Sequence, residues 1–283
     1  MRRRGIALQL MAILCFSLLD ATGKWLNQTV PLMMIVWFRY ASATLLVLVM
    51  VNPVRHPDVF RSRRPMVQLA RAALLVASTF LNFLGLQTLQ LADAVSIGFS
   101  LPLLVALMAG PFLGEWIGPR RLIAIAVGFL GVLVVTRPGA NFQAAMLYNF
   151  GATLCYATYS ILTRMISAQD SWRTTTLYSA MSGLLLTPLL PGAWVWPANG
   201  LVWALLCMTG VFGGIGHWLM ILAHQRAPAA ILAPFVYTQI IWMTALGLVI
   251  FGDIPGPWTL VGGAIVIASG LYLWARERAI RGE

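Results

Sequence analysis

The chain has 283 residues, 60% hydrophobic and 10% charged, with a net charge of +11. A soluble domain of that length needs far more polar surface, so a water-soluble globular fold is excluded. The basic residues stand in short loops between apolar runs, so nucleic acid is not an expected partner.

In chain order, Met1-Arg2-Arg3-Arg4 and the apolar run behind it have the outline of a signal peptide. The run carries Asp20 and Lys24 and lacks a small-x-small site at its end, so a retained first helix is expected. Ten apolar runs, each long enough to cross a bilayer core as a helix, lie at roughly 6–26, 31–51, 69–89, 93–113, 120–137, 146–166, 175–195, 201–222, 230–250 and 258–275. The links are short and leave no room for a separate soluble domain. The expected fold is an all-α membrane protein with ten transmembrane helices in one membrane domain, its surroundings the lipid bilayer.

Arginine placement orients the spans. With the N-terminus in the cytoplasm, the inside receives Arg2, Arg3, Arg4, Arg55, Arg61, Arg63, Arg64, Arg71, Arg120, Arg121, Arg164, Arg173, Arg226, Arg276, Arg278 and Arg281. Outside the spans, only Arg137 falls on the other side. The positive-inside rule then places both termini in the cytoplasm.

The chain also repeats itself. Residues 79–115 hold an apolar run, a break at Leu91-Ala92-Asp93-Ala94, a second run with Pro102, and Gly114-Glu115. Residues 214–253 follow the same order with a break at Ala227-Pro228-Ala229, Pro234 and Gly252-Asp253. Gly118-Pro119 and Gly256-Pro257 follow in turn, each leading a glycine-bearing apolar run. Ala12-Ile13-Leu14-Cys15-Phe16 likewise sits over Ala152-Thr153-Leu154-Cys155-Tyr156, with Lys24 over Arg164. The expected halves are 1–139 and 140–283. Five spans per half is an odd number, so the second half enters from the opposite side and the repeats are inverted.

Ionisable groups within spans cost about 2.5–3.5 kcal/mol each at the bilayer centre on insertion scales, so each asks for a reason. Asp20 and Arg39 fall at similar depth in adjacent antiparallel spans, and Asp20 and Lys24 share a helix face in the favoured order. Two readings stand open: an ion pair that only fixes the first hairpin, or a substrate-binding carboxylate flanked by Lys24 and Arg39 that favours zwitterions. Asn82 and Phe83 in the third span correspond to His217 and Trp218 in the eighth, one polar residue beside one aromatic in each, and Thr79 shares a face with Asn82. This combination suits an amphiphilic small molecule or ordinary core packing. Ser96, Phe99 and Ser100, then Tyr237, Thr238 and Gln239, add polar and aromatic groups in the fourth and ninth spans. Tyr156, Tyr159 and Thr163 share a face in the sixth. Pro102 and Pro234 free backbone carbonyls there, as hinges or as static kinks.

The glycines of residues 209–216 and Gly262-Gly263 are expected to let helices approach closely. Cys15, Cys155 and Cys207 show no metal-ligand spacing, and His217 and His224 lack a third ligand, so neither a metal site nor a cofactor is expected. No nucleophile–base constellation or phosphate-binding loop is visible, which argues against an enzyme and against nucleotide-driven pumping.

This ordered set resembles the drug/metabolite transporter superfamily in its ten-helix EamA-type branch, over essentially the whole chain. Asp253 departs from the family's usual Glu. Within the branch the chain is similar to bacterial amino-acid exporters, those for aromatic amino acids included. The resemblance implies a secondary transporter in the bacterial inner membrane that exports small amphiphilic metabolites by alternating access. A proton-coupled exporter of cationic drugs, or of other metabolites such as nucleosides, is the alternative. Homo-oligomerisation stays open.

Overall fold

The structure is a computed structural model that describes residues 2–114, 116, 118–137, 143–166, 169–189, 192, 194–227 and 229–281. Among these residues every regular element is a helix. The first half holds α1 (Arg2–Leu26), α2 (Leu32–Val51), α3 (Pro65–Leu86), α4 (Leu91–Gly98), α5 (Leu101–Leu113) and α6 (Pro119–Thr136). The second holds α7 (Ala144–Ile166), α8 (Trp172–Leu186), α9 (Gly200–Arg226), α10 (Ala229–Leu232), α11 (Gln239–Leu246) and α12 (Pro257–Arg281).

Helix punctuation follows from local chemistry. Proline opens α3 and α6, where a missing N–H costs nothing. Ser171 and Asn199 cap α8 and α9, their side chains accepting from Thr174 N and Leu201 N. Gly114 and Gly252 are the only glycines with positive φ among the described residues, at 73° and 70°. They end the two proline-bearing spans in the left-handed conformation that glycine adopts without strain.

Those two spans are interrupted. α4 and α5 are separated at Phe99–Ser100, and Pro102 stands in the first turn of α5. Between α10 and α11 the chain tightens into a 3-10 turn, Ala233–Thr238, that begins around Pro234. A π-turn, Gly247–Phe251, then leads to Gly252.

Among the described residues seven helical segments are long and apolar enough to cross a membrane, and Leu122–Thr136 is a shorter apolar helix. α7 and α8 fall outside both groups. α8 has only 15 residues, while α7 carries Asn149, Thr153, Tyr156, Tyr159, Thr163 and Arg164 along its length. A helix enclosed by other helices can be polar without facing lipid. The span expected at 175–195 stops at Leu186, with a 3-10 turn to Leu189, because Pro188 cannot continue an α-helix. The third span begins at Pro65 and ends at Leu86, a few residues earlier than expected at each end. The expected division between residues 139 and 140, together with Glu115 and Pro228, lies outside the described residues.

The main helix pairs join the two halves. α1 packs on α9 and α3 on α7; α2 packs on α9 and α3 on α8; α1 meets α11 and α5 meets α7. α2 also packs on α8, and α6 on α12. Glycines set the closest crossings. A Cβ at Gly262 would stand 2.6 Å from Gly131 O, and one at Gly131 would stand 2.9 Å from Gly262 O. Gly210 lies against the α2 backbone at Arg39 and Ala43. Hydroxyls inside apolar helices are satisfied locally: Ser17, Thr44, Thr153 and Thr163 donate to the carbonyl four residues back.

Candidate functional site

Between the two halves lies a cavity of about 520 Å³. α4, α5, α7, α11 and α12 and the 3-10 turn at Pro234 form its walls, and it reaches inward to Asp20 of α1 and Asn82 of α3. Phe99 and Tyr237 meet edge to face at 5.1 Å between ring centroids and supply an aromatic wall. Pro102, Val105, Met243 and Leu271 extend the apolar lining. Arg164 and Trp274 also border it. At 1.5 Å per residue, Arg164 lies about 22 Å along α7 from Asn149, so the cavity is long and its two ends differ in chemistry.

The inner end is a directed chain of hydrogen bonds. Asn82 Nδ2 donates to Asp20 Oδ1 at 3.0 Å, and Asn149 Nδ2 donates to Asn82 Oδ1 at 3.0 Å. By helix rise, Asp20 is about 9 Å from the end of α1, Asn82 about 6 Å from the end of α3, and Asn149 about 8 Å from the start of α7. Three helices from both halves therefore bring polar groups to one level. Gly85 permits this crossing, since a Cβ there would come within 3.0 Å of Ala145 O.

One helical turn beyond Asp20 the bundle is closed. Lys24 Nζ forms an ion pair with Asp253 Oδ2 at 2.7 Å and donates to Leu89 O at 2.9 Å, with its cation 4.6 Å from the Phe251 ring centre. Beside it Thr259 Oγ1 donates to Asp93 Oδ1 at 2.5 Å. Asn27 Nδ2 ties the end of α1 to Phe83 O. The turn at Gly252 is what carries Asp253 back to Lys24, with Asp253 N donating to Gly247 O.

Several expectations are redrawn by this arrangement. Lys24 shares a helix face with Asp20, yet its partner comes from the other half of the chain. Arg39 makes no ion pair with Asp20 among the described residues; its Nη1 donates to Thr79 Oγ1 at 2.5 Å, and it lies over the rings of Tyr40 and Phe83. The cluster of two cations around Asp20 is therefore not formed. Of the residues singled out in the sequence, Asp20, Asn82, Phe99, Tyr237, Gln239, Pro102 and Pro234 line the cavity. Ser96 and Ser100 are fully buried; Ser96 donates to Ala92 O of its own helix and Ser100 to Ile97 O at the end of α4. Phe83 is fully buried against Gly23. Trp218 is 45% exposed on the outer surface of α9. His217 packs edge to face on Phe16.

Tyr156 and Tyr159 stack with centroids 5.4 Å apart, and Tyr159 lies under Arg71. Arg71 was assigned only to a loop by charge counting. It is fully buried, donating to Gln68 Oε1, Thr163 Oγ1, Thr175 O and Ser179 Oγ, and it fastens α3 to α7 and α8. Gln68 in turn donates to Asp170 Oδ2, which also takes the Ser62 hydroxyl, while Asp170 Oδ1 takes Arg63 N. In this loop, burial pushes the Asp170 carboxyl up, but the Ser62, Arg63 and Gln68 donors hold it below the ordinary aspartate value.

Asn149 was missed. The register that sets Ala12 over Ala152 also sets Gln9 over Asn149, and that pair of matched amides was the available signal. No group of three metal-ligating side chains occurs among the described residues.

A sequence profile of the EamA-like transporter family matches residues 3–137 and 143–275. The chain is 26% identical to an S-adenosylmethionine uptake transporter of Rickettsia bellii, over 97% of this chain and 94% of that one. It is 25% identical to a riboflavin transporter of Vibrio cholerae, over 98% and 96%. It is 26% identical to the pseudopaline exporter CntI of Pseudomonas aeruginosa, over 96% of each. A crystal structure 20% identical in sequence superposes on all of this chain, and over all of its own, with a TM-score of 0.65; it shares the fold.

Proposed function

The chain belongs to the EamA-like transporter family, and from that premise we propose that it exports small amphiphilic metabolites, amino acids including aromatic ones, across the bacterial inner membrane by alternating access. As in its relatives, the work is transport of a small molecule through a multi-pass membrane protein, not enzymatic catalysis. The observation that carries the reading is the cavity between the halves, ending at Asp20 on one side and capped there by Lys24–Asp253.

In this reading residues 1–139 and 140–283 are inverted repeats. Support comes from the matched left-handed glycines 114 and 252 and from the helix pairing. Exchanging each helix with its counterpart turns α1–α9 into α7–α3 and α2–α9 into α8–α3, and leaves α2–α8 and α6–α12 unchanged. Such pseudo-two-fold symmetry gives a bundle two symmetry-related ways to open, one toward each side. The arginine-rich end is cytoplasmic under the positive-inside rule, with both termini there. The cavity then opens toward the cytoplasm past Arg164 and Trp274, and Lys24–Asp253 closes the outer side. Pro102 and Pro234, beside the breaks in the two cavity-lining spans, serve as the hinges.

The test is flux into proteoliposomes of radiolabelled phenylalanine, S-adenosylmethionine and riboflavin. Phenylalanine is expected to move faster than in protein-free vesicles. If none of a broad panel of amino acids does so, the amino-acid assignment fails.

A further inference from the structure

The hydrogen-bond chain at the inner end of the cavity has a direction, and its direction leaves acceptors over. Asn82 uses its Nδ2 on Asp20 Oδ1 and its Oδ1 on Asn149 Nδ2. Among the described residues, Asp20 Oδ2 and Asn149 Oδ1 have no hydrogen-bond partner, and both residues line the cavity. Asn82 thus bonds a neighbour through each end of its amide and holds the two outer members in place. What the cavity shows a ligand at this point includes a carboxylate oxygen and an amide oxygen as free acceptors.

The nearby cations do not satisfy these acceptors. Lys24 is engaged by Asp253 and Leu89 O, and Arg39 gives its Nη1 to Thr79. Arg39 makes no ion pair with Asp20 among the described residues. The complement to two acceptors, one of them anionic, is a cationic group with several N–H donors. Phe99 and Tyr237, with Met243 and Leu271, offer an apolar enclosure for the rest of the molecule.

We propose, resting on the transporter reading above, that Asp20 and Asn149 receive the ammonium group of the substrate, with Asn82 as a positioning residue and the aromatic wall holding its apolar body. The site thus selects amine-bearing solutes. Riboflavin, which has no ammonium, does not use Asp20.

Binding to purified full-length protein tests this independently of transport. The probes are phenylalanine, phenethylamine (which lacks the carboxylate) and 3-phenylpropanoate (which lacks the amine). In the unsubstituted protein the expected order places both amines ahead of 3-phenylpropanoate. Asp20→Asn should weaken the two amines about 10- to 100-fold, the worth of a charge-assisted hydrogen bond, and should not weaken 3-phenylpropanoate. Replacing sodium with potassium should leave the order intact.

Tighter binding of 3-phenylpropanoate than of phenethylamine would overturn the proposal. So would amine affinities unchanged in a folded Asp20→Asn protein, or amine binding that vanishes without sodium, which would give the carboxylate to that ion. Should Asp20→Asn fail to fold, the order in the unsubstituted protein decides. Binding in the expected order without flux would overturn the transport reading alone. Flux of riboflavin with no binding of either amine would overturn the ammonium site alone.

Discussion

Breaking the ion pair at the closed end should open that end. The pair is 2.7 Å long, with its side chains 10% and 24% exposed. It therefore belongs between surface pairs, worth about 0–1 kcal/mol, and fully buried ones, where removing a partner costs about 3–5 kcal/mol. With the added bond from Lys24 to Leu89 O, about 2 kcal/mol is a reasonable share for holding the closed state. That amount corresponds to roughly a 30-fold change in the ratio of closed to open.

A cysteine at Ala94, which lines the cavity and is 6% exposed, reports the change. It would be introduced after replacing Cys15, Cys155 and Cys207 with Ala. Labelling by a membrane-impermeant maleimide from the Lys24 side should be slow with the pair intact. Lys24→Met and Asp253→Asn should each accelerate it by roughly 30-fold, and the double change should add little to either. An unchanged rate in both single variants, with the protein folded, would refute the reasoning.

Gly262→Leu should lower the Tm, at a cost of about 1–3 kcal/mol, because its Cβ meets the Gly131 carbonyl. Gly200→Ala, with nothing within 4 Å, is the control and should change little. Arg71→Met removes donors to three helices and should destabilise the protein by more than about 2 kcal/mol, while Arg71→Lys recovers only part of this. Asp170 has a depressed carboxyl, so its contribution is present above the ordinary aspartate value and is lost as pH falls through the folded one. The Tm gap between the unsubstituted protein and Asp170→Asn should therefore be open at pH 6 and close as pH falls through and below about 3.9; a constant gap would contradict the assignment. In sealed cells, cysteines at Thr29 and Asn199 should label from outside and one at Arg61 should not.

The elements were legible because a bilayer enforces long apolar helices, and proline and glycine mark their ends; Pro65, Pro119, Gly114 and Gly252 all do so. Where Pro188 cut a span short, a hydrophobic window ran on through Ala193-Trp194-Val195. Pairing was harder to read. Lys24 lies four residues from Asp20, the favoured helical spacing, but bonds Asp253 across 229 positions. Helix spacing describes neighbours on one helix and says nothing about a carboxylate delivered by a turn at Gly252. Hydroxyls misled for a similar reason, since Ser96 and Ser100 are satisfied by the carbonyls of Ala92 and Ile97, four and three residues back, and need no cavity. Asp20 and Asn82 stood out because an apolar span has no cheap place for them. Asn149 did not stand out, because α7 is polar enough to hide one more amide.

Counterflow in proteoliposomes tests the central claim most directly, because only a carrier that exposes one site to one side at a time couples two opposing fluxes. Vesicles preloaded with unlabelled phenylalanine should draw in labelled phenylalanine transiently above its equilibrium level. Asp20→Asn should abolish the overshoot, and vesicles without preload should show none. Labelled phenylalanine that equilibrates along the same time course with and without preload would contradict alternating access.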